Sequence, residues 1–488
     1  MKKVFFVSLG CDKNLVDSEK MLGSLSRHGF CITDDETAAD VIVINTCCFI
    51  NDAKEESIQA ILEMAKLKET GACRALVVTG CLAQRYHAEI PKEIPEVDAV
   101  IGTGAYDTLV EVIAGLLPEQ EGGPLEEEMM AAEDGSRGEN SSAGVGGLAG
   151  ESTCKVKAGK VEKTCRVCIE DPDRNPPDPG SRLLTTGGHY AYLKIAEGCN
   201  KRCTYCIIPN IRGHYRSFPM EQLLAEAKKL AEGGVKELIL VAQETTLYGT
   251  DLYGKKSLHL LVRELAKIPE IRWIRLLYCY PEEVYDELIE TIRDEEKVCH
   301  YLDIPIQHAD DEILRRMGRK TNRAALMDLI EKLRREIPDI VLRTTLISGF
   351  PGETLKAHET LMDFVDEMAF DRLGVFTYSP EEGTKAALME DQIPEEEKLR
   401  RQEELMALQQ EIAFDLAKDK IGRTLWVMVE GRITEDDVYV CRTYGDAPDV
   451  DGYLFLQTDE NLMSGDFVRV RVTDAREYDL IGSIEHDI

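Results

Sequence analysis

Cys199, Cys203 and Cys206 stand in the string GCNKRCTYC, a C-x3-C-x2-C triplet just past a predicted strand. Three thiolates at that spacing suit a cubane iron–sulfur cluster, which takes four cysteines when fully ligated. Three ligands leave one iron open. An open iron binds and activates a small molecule, where a closed cluster only carries electrons. The triplet therefore points to chemistry rather than to folding.

A second set is dispersed. Cys11 follows VFFVSLG, Cys47 follows VIVINT and Cys81 follows ALVVTG, so each lies just beyond the carboxyl end of a predicted strand. Their separations, 36 and 34 residues, suit successive βα units. In a parallel sheet such strand ends lie side by side at the ligand crevice. The three thiols would then converge and hold a second cluster with an open iron; three unrelated buried cysteines are the plainer alternative. Cys31, Cys48, Cys73, Cys279, Cys299 and Cys441 read as small hydrophobic core residues. Cys165 and Cys168 form one C-x2-C near Cys154 without a second pair at zinc-finger spacing, so a metal clip and an idle exposed segment both remain open.

The elements that must position these residues fall into four stretches. Residues 1–117 alternate strands and helices, which predicts an α/β domain with a parallel sheet. Residues 118–188 are rich in Gly, Ser, Glu and Pro and read as a disordered linker or insertion. Residues 189–421 carry six strands, YLKIA, ELILVA, WIRLLY, YLDIPIQ, VLRTTLIS and RLGVFTYS, separated by helical patterns. This predicts a partial (βα)6 barrel, an incomplete version of the eight-unit form. A helix rich in Glu and Gln follows, and residues 422–488 alternate apolar and polar positions between turn signals, as a small antiparallel β-barrel does.

Barrel enzymes place chemistry on the loops after the strands. That brings forward Gln243 and Glu244 after ELILVA, Gln307 and His308 after YLDIP, and Gly349 and Glu353 in LISGFPGE. Arg319 and Arg343 suit bidentate pairing with a carboxylate. Tyr205, inside the triplet, either stacks on a flat ring beside the cluster or packs in the core. A Glu or Arg at a strand end is more often a surface ion pair than a ligand contact.

Composition narrows the classes. The 488 residues allow about three domains. No apolar run reaches the roughly 18 residues of a membrane span, and MKKVFFVSLG reads as a first strand without a cleavage site, so a cytoplasmic protein is expected. The net charge of −32 disfavours a polyanion such as RNA unless a local basic face overrides it, and favours basic partners. Fifteen cysteines without a secretory signal argue for metal or redox chemistry over disulfides.

These motifs carry a family resemblance. GCNKRCTYC followed by IIPNIRG resembles the radical S-adenosylmethionine enzymes, and SLGCDKNLVDSE, INTC and TGC resemble the N-terminal domain of the methylthiotransferases. VAQETTLYG, RLLYCYPEEV, YLDIPIQHADDEILRRMGR, RTTLISGFPGET and FDRLGVFTYSPEEGTKAA resemble the RimO-type branch, and RTYGDAPDVDG is similar to part of a TRAM domain. The resemblance spans nearly the whole chain outside residues 118–188. It implies transfer of a methylthio group to the β-carbon of an aspartate in a small-subunit ribosomal protein, with two [4Fe-4S] clusters and two S-adenosylmethionine molecules. It implies that Cys199, Cys203 and Cys206 hold the cluster at which S-adenosylmethionine is cleaved reductively. Cys11, Cys47 and Cys81 would hold the auxiliary cluster that carries the sulfur. An unactivated C–H bond is beyond acid–base catalysis, so cofactors must carry that step. Matching motif positions make Tyr205, Gln243, Glu244, Gln307, Arg319, Arg343, Gly349 and Glu353 the expected S-adenosylmethionine contacts. The chain departs from the family pattern at Glu244, commonly Asp, and at Leu247, commonly Arg.

Three readings compete. The first is the ribosomal-protein methylthiotransferase, a monomer served by a reductant protein. From Arg423 onward 15 acidic residues face 6 arginines, which complements a basic substrate. The second keeps the chemistry but acts on an adenosine of transfer RNA, as the MiaB-type sister branch does; an RNA-binding barrel should show a basic face, so this is disfavoured. The third is an iron–sulfur electron carrier, which should supply a fourth ligand to each cluster, and neither triplet has an obvious one beside it.

Overall fold

The computed structural model describes residues 1–117, 151–158, 161–178, 180–435 and 437–485, with only the backbone in 151–164. The chain forms two compact units, Met1–Cys48 with Asp52–Arg182 and Phe49–Asn51 with Leu183–Ile488.

The first unit is a seven-stranded sheet. Its strands are β1 (Lys3–Ser8), β2 (Cys31–Ile32), β3 (Val41–Thr46), β4 (Ala75–Gly80), β5 (Ala99–Ile101), β6 (Glu151–Ala158) and β7 (Val161–Cys168), in the order β2-β1-β3-β4-β5-β7-β6. Every pairing is parallel except the β6–β7 hairpin. All residues of β3 and β4 are buried, as strands covered on both faces require; their unbroken apolar runs follow from that burial. Met21 and Leu25 of one helix and Leu109, Val112 and Ile113 of another join the core.

The hairpin corrects the expected linker over 118–188. β7 adds to the sheet alongside β5, with Ala99 opposite Arg166 and Ile101 opposite Cys168. Arg174 then fastens the following segment through paired bonds to Asp107, each 2.7 Å. The alternation in KVKAGKVEKT was a legible strand signal masked by the Gly- and Ser-rich residues before it. Residues 118–150 lie outside the described residues. Within β7, residues three apart point to opposite faces, so Cys165 and Cys168 do not make the metal clip that their spacing suggested.

The second unit begins with a six-stranded sheet of β8 (Tyr190–Lys194), β11 (Glu237–Val241), β12 (Trp273–Leu276), β13 (Val298–Asp303), β14 (Val341–Ser348) and β15 (Arg372–Thr377). All are parallel neighbours in that order, with β8 and β15 at the edges. This is the expected partial barrel. A short antiparallel arm, β9 (Ala196–Glu197) with β10 (Arg216–Ser217), follows the first strand. Helices between the strands begin at good caps: Asn322 accepts from the Ala325 N–H and Thr354 from the Ala357 N–H. Leu223, Leu261, Leu288, Ile330 and Leu361 are among the helix residues that bury the outer face of the sheet.

The helix Glu395–Lys418 leads to a closed barrel of β16 (Thr424–Ile433), β17 (Val438–Thr443), β18 (Leu454–Leu456), β19 (Phe467–Arg476) and β20 (Asp479–Ile484), in the ring order β16-β17-β18-β20-β19. Four pairings are antiparallel and β18–β20 is parallel. This is the small antiparallel barrel expected; its one parallel pair follows because a ring with an odd number of strands cannot alternate direction all the way round.

Charge joins the two barrels of this unit. Glu237, at the start of β11, accepts from Arg275 of β12 and from Arg442 of β17, both at 2.7 Å, and all three are fully buried. Glu430 of β16 takes Arg442 at 2.7 Å and His189 at 2.8 Å. The 444–452 loop adds Asp446 to Arg372 at 2.6 Å and Asp451 to Tyr301 at 2.8 Å. Part of the small barrel's acidity is therefore engaged internally rather than presented to a partner.

Candidate active site

The triplet sits on the loop beyond β8. Cys199 donates its N–H to the Gly213 carbonyl at 3.1 Å, Cys206 to that of Cys203 at 3.2 Å, and Thr204 to that of Met317 at 2.9 Å. The loop is thus pinned to itself and to the segment after β13. The Lys201 N–H donates to Cys199 Sγ at 3.4 Å, and Cys203 Sγ lies 3.7 Å from the Tyr280 hydroxyl. Cys199 and Cys203 are buried and Cys206 is partly buried. Burial first, then the neighbouring Cys203, pushes the Cys199 thiol up to about 12 and that of Cys206 well above its ordinary value. Buried thiols with raised pKa would have to give up their protons to hold a metal. A cavity of about 250 Å³ opens beside Cys203, lined by Lys201, Tyr280, Glu282, Gly318 and Lys320 among others.

Arg319 is the most telling neighbour. It is buried, lies 4.3 Å over the Tyr280 ring, and bonds Glu282 and the Pro305 carbonyl through Nη2 at 3.1 and 3.0 Å. Its Nε and Nη1 have no hydrogen-bond partner among the described residues. Such unmade bonds to a charged group are costly, and an incoming anion would take up one of them.

The other expected contacts divide. Glu244 is fully buried; burial lifts its carboxyl to about 7, against the opposing hydrogen bond from Thr246 and the charge of Lys201, 4.0 Å away. Its Oε2 and the Gln243 Oε1 are buried without a hydrogen-bond partner among the described residues. Gln243 Nε2 donates to Glu197 at 3.0 Å. Although burial opposes it, Lys194 and Arg212 hold the Glu197 carboxyl well below the usual range. Gln307 has φ +71° and exchanges backbone bonds with Thr345 and Ile347 of β14, a strained conformation of the kind that collects at functional loops. His308 is buried and neutral, pushed down to about 3 by burial, then by His358 and Arg401. Tyr205 packs edge-on against Phe350 of the loop after β14, centroids 6.4 Å apart.

Arg343 and Glu353 have partners within their own unit. Arg343 faces Asp303 at 3.4 Å and Asp451 of the small barrel at 3.7 Å. Glu353 turns back on its own loop: Oε2 accepts from the Gly349 and Phe350 N–H groups at 2.5 and 3.1 Å. Sequence reasoning missed the buried ions that support this end of the barrel, Lys194, Glu197, Arg212, Lys398 and Arg401. Of these only Lys398 and Arg401 had a signal, a basic pair on the inner stripe of a long helix.

The second set lies in the other unit. β1, β3 and β4 are adjacent and parallel, with Ser8 opposite Asn45 and Thr46 opposite Gly80. Cys47 and Cys81 thus sit one step beyond a registered pair, and Cys11 precedes the helix Asp12–Arg27. Gly10, at φ +94°, permits the approach: a Cβ there would lie 2.6 Å from Cys47 Cβ and 2.9 Å from its Sγ. Asn14 donates to the Leu9 and Thr46 carbonyls, and Ser57 brackets the Cys47 backbone at 3.0 and 2.9 Å, which fixes the loops together. Cys48, read as core, is fully buried, and its thiol is raised by burial and then by Cys81. Among the described residues, no three His, Cys, Asp or Glu side chains already stand in metal-holding geometry. The chain brings the loops together without closing a cage.

Comparison with known proteins follows the same division. Residues 3–102 match the family described as uncharacterized protein family UPF0004, residues 193–365 the Radical SAM superfamily, and residues 421–484 the TRAM domain. The chain is similar to the ribosomal protein uS12 methylthiotransferase RimO of Lachnoclostridium phytofermentans, 56% identical over 99% of this chain and 100% of that protein. A protein of the same name from Clostridium botulinum (strain Hall) is 48% identical over 100% of this chain and 99% of its own length. Among solved structures, the radical S-adenosylmethionine methyltransferase TsrM from Kitasatospora setae, with cobalamin and a [4Fe-4S] cluster bound, has a TM-score of 0.51 at 14% identity. It covers 80% of this chain and 77% of that one, a likeness of fold.

Proposed function

This chain belongs to the ribosomal protein uS12 methylthiotransferase RimO family, and from that premise we propose that it adds a methylthio group to the β-carbon of an aspartate in uS12. It is a radical S-adenosylmethionine enzyme of the methylthiotransferase class, and its cofactors are S-adenosylmethionine and [4Fe-4S] clusters. In the proposed assignment Cys199, Cys203 and Cys206 hold one cluster and Cys11, Cys47 and Cys81 the other. Bound there, the clusters supply the one-electron chemistry and the sulfur that no side chain can provide.

The residues of the chain do the rest. Arg319, whose Nε and Nη1 lack hydrogen-bond partners among the described residues, offers one of them to the carboxylate of S-adenosylmethionine. Gln243 and Glu244 offer buried acceptor atoms to its amino group and sugar. The loop carrying Gly349 shapes the wall against Tyr205, and Gln307 fixes the neighbouring backbone. Arg343, engaged with Asp303 and Asp451, serves the junction of the two barrels instead. The partner is a basic ribosomal protein, met in the cytoplasm by a monomeric enzyme that draws electrons from a reductant protein. Among the described residues no helix is long and apolar enough to cross a membrane.

The observation that carries the reading is the co-occurrence of two cysteine sets, each at the carboxyl ends of a parallel sheet, in a chain that matches these relatives from end to end. A transfer-RNA substrate is disfavoured because Arg469 and Arg471, the basic pair on β19, both lie within 3.8 Å of Glu485. Anaerobically reconstituted enzyme with S-adenosylmethionine, sulfide and a reductant, offered uS12 and transfer RNA in parallel, decides the matter by mass spectrometry. A methylthio adduct on an aspartate of uS12 alone is expected; an adduct on the RNA alone would move the chain to the sister activity.

A further inference from the structure

The helix Glu395–Lys418 buries Lys398, Arg401, Leu405, Gln409, Ala413 and Ala417, one stripe at intervals of three and four. A stripe facing a core is ordinarily apolar; here its first turns hold two cations. Both reach the loop after β14. The Ser348 hydroxyl donates to the Lys398 carbonyl at 3.0 Å, and Lys398 Nζ donates to the Tyr378 carbonyl at 2.8 Å. Gly349, at φ +72°, lies so close beneath Lys398 that a Cβ there would collide with the Lys398 side chain. Arg401 Nη1 donates to the Glu353 carbonyl at 2.8 Å and pairs with Glu353 Oε1 at 3.1 Å, while its Nε is held by Glu397 at 2.7 Å.

Glu353 in turn clamps the Gly349 and Phe350 N–H groups. Phe350 is fully buried and packs edge-on against Tyr378 and against Tyr205 of the cysteine triplet, with centroids 5.3 and 6.4 Å away. A continuous set of contacts therefore runs from the helix through Arg401, Glu353 and Phe350 to Tyr205, one of the two residues between Cys203 and Cys206. On the helix's other flank, Glu404 holds His358 at 2.8 Å, and His358 lies 3.7 Å from the same Glu353 oxygen that Arg401 meets.

We propose that Arg401 is a positioning residue for S-adenosylmethionine: through Glu353 it fixes the 348–353 loop in the shape that receives this ligand. The inference rests on the reading that this loop is part of the S-adenosylmethionine site. Arg401 touches neither ligand nor cluster. It removes freedom from the loop before binding, so the ligand need not supply the ordering itself. The neutral Arg401→Met variant leaves the buried Glu353 carboxylate without its cation, and the loop relaxes.

The test uses the full-length enzyme reconstituted with iron and sulfide. Dissociation of S-adenosylmethionine is measured by equilibrium dialysis for the parent, Arg401→Met, Arg401→Lys and Gly349→Ala, alongside iron content and the electron paramagnetic resonance spectrum of the reduced enzyme. Arg401→Met is expected to weaken binding about tenfold or more, the scale of one lost hydrogen bond to a charged group. Iron content and the ligand-free spectrum stay unchanged, and the spectral change on adding ligand needs correspondingly more of it. Arg401→Lys, which keeps the charge, recovers part of the affinity and serves alone if the Met variant fails to fold. Unchanged binding in both Arg401 variants, with weakened binding in Gly349→Ala, would overturn the proposal and leave the site reading standing. Unchanged binding in all three would overturn the site reading and the proposal with it.

Discussion

At the scale of single residues, charges buried without full pairing mark the site. Arg319 and Glu244 are the clearest. Replacing Arg319 with Met removes the two unsatisfied N–H groups; S-adenosylmethionine affinity should fall by about tenfold or more, with both clusters still assembled. Isothermal titration of the reconstituted variant reads that loss, and undiminished affinity would remove Arg319 from the site. Glu244 carries a pH signature. Its carboxyl is raised from 4.5 to about 7, chiefly by burial. Between those values the folded chain holds a proton that the unfolded chain has released, so stability falls as pH rises from 4.5 to 7. The effect amounts to at most about 3 kcal/mol. Denaturant unfolding at several pH values should show the slope flattened in Glu244→Gln; an unaltered slope would mean that the group ionises normally.

At the scale of elements, the β6–β7 hairpin separates two parts of the inserted segment. Deleting residues 122–148 leaves every described contact in place, so folding, iron content and turnover should all persist. Deleting 122–180 removes β7 from beside β5 along with the Arg174–Asp107 pair, so the first unit should lose stability and with it the iron bound through Cys11, Cys47 and Cys81. Iron content per chain distinguishes the two: about half is lost in the longer deletion alone if each set holds one cluster. Equal loss in both would mean that residues 122–148 support the sheet. The helix Glu395–Lys418 also acts as an element. Its first turns reach the loop after β14, whereas Ala417 enters the core of the small barrel and Phe414 packs on Tyr478, centroids 5.3 Å apart.

At the scale of the second unit as a whole, buried charge joins the two barrels. Arg442→Met strands Glu237 beside a single arginine and Glu430 beside His189 alone. Removing one partner of a buried pair costs about 3–5 kcal/mol, so the variant should unfold at markedly lower denaturant concentration; an unchanged midpoint would show the junction to be passive. The His189–Glu430 contact makes the junction sensitive to pH. Burial lowers the histidine pKa, but the hydrogen bond and charge of Glu430 outweigh it, leaving the value above 6.5. The contact's contribution is complete below the ordinary histidine value and declines as pH rises through the elevated one. His189→Gln should abolish that decline in unfolding curves recorded from pH 6 to 8.

Much was determined by the sequence alone. Cysteines that follow VFFVSLG, VIVINT and ALVVTG, and a triplet that follows YLKIA, name their own positions, because parallel strands place their carboxyl ends together. Six barrel strands and a small C-terminal β-barrel were equally plain, since hydrophobic period is a local property. Tertiary structure alone decided which charges face which. Arg343 and Glu353 look alike in sequence as strand-end candidates, yet one joins the barrels and the other shapes a loop. Arg401, nearly fifty residues beyond Glu353, holds it in place. Pairing between distant charges depends on which elements pack side by side, and no local pattern records it. The parity that forces one parallel pair into the small barrel is a property of the closed ring, which exists only once the chain has folded.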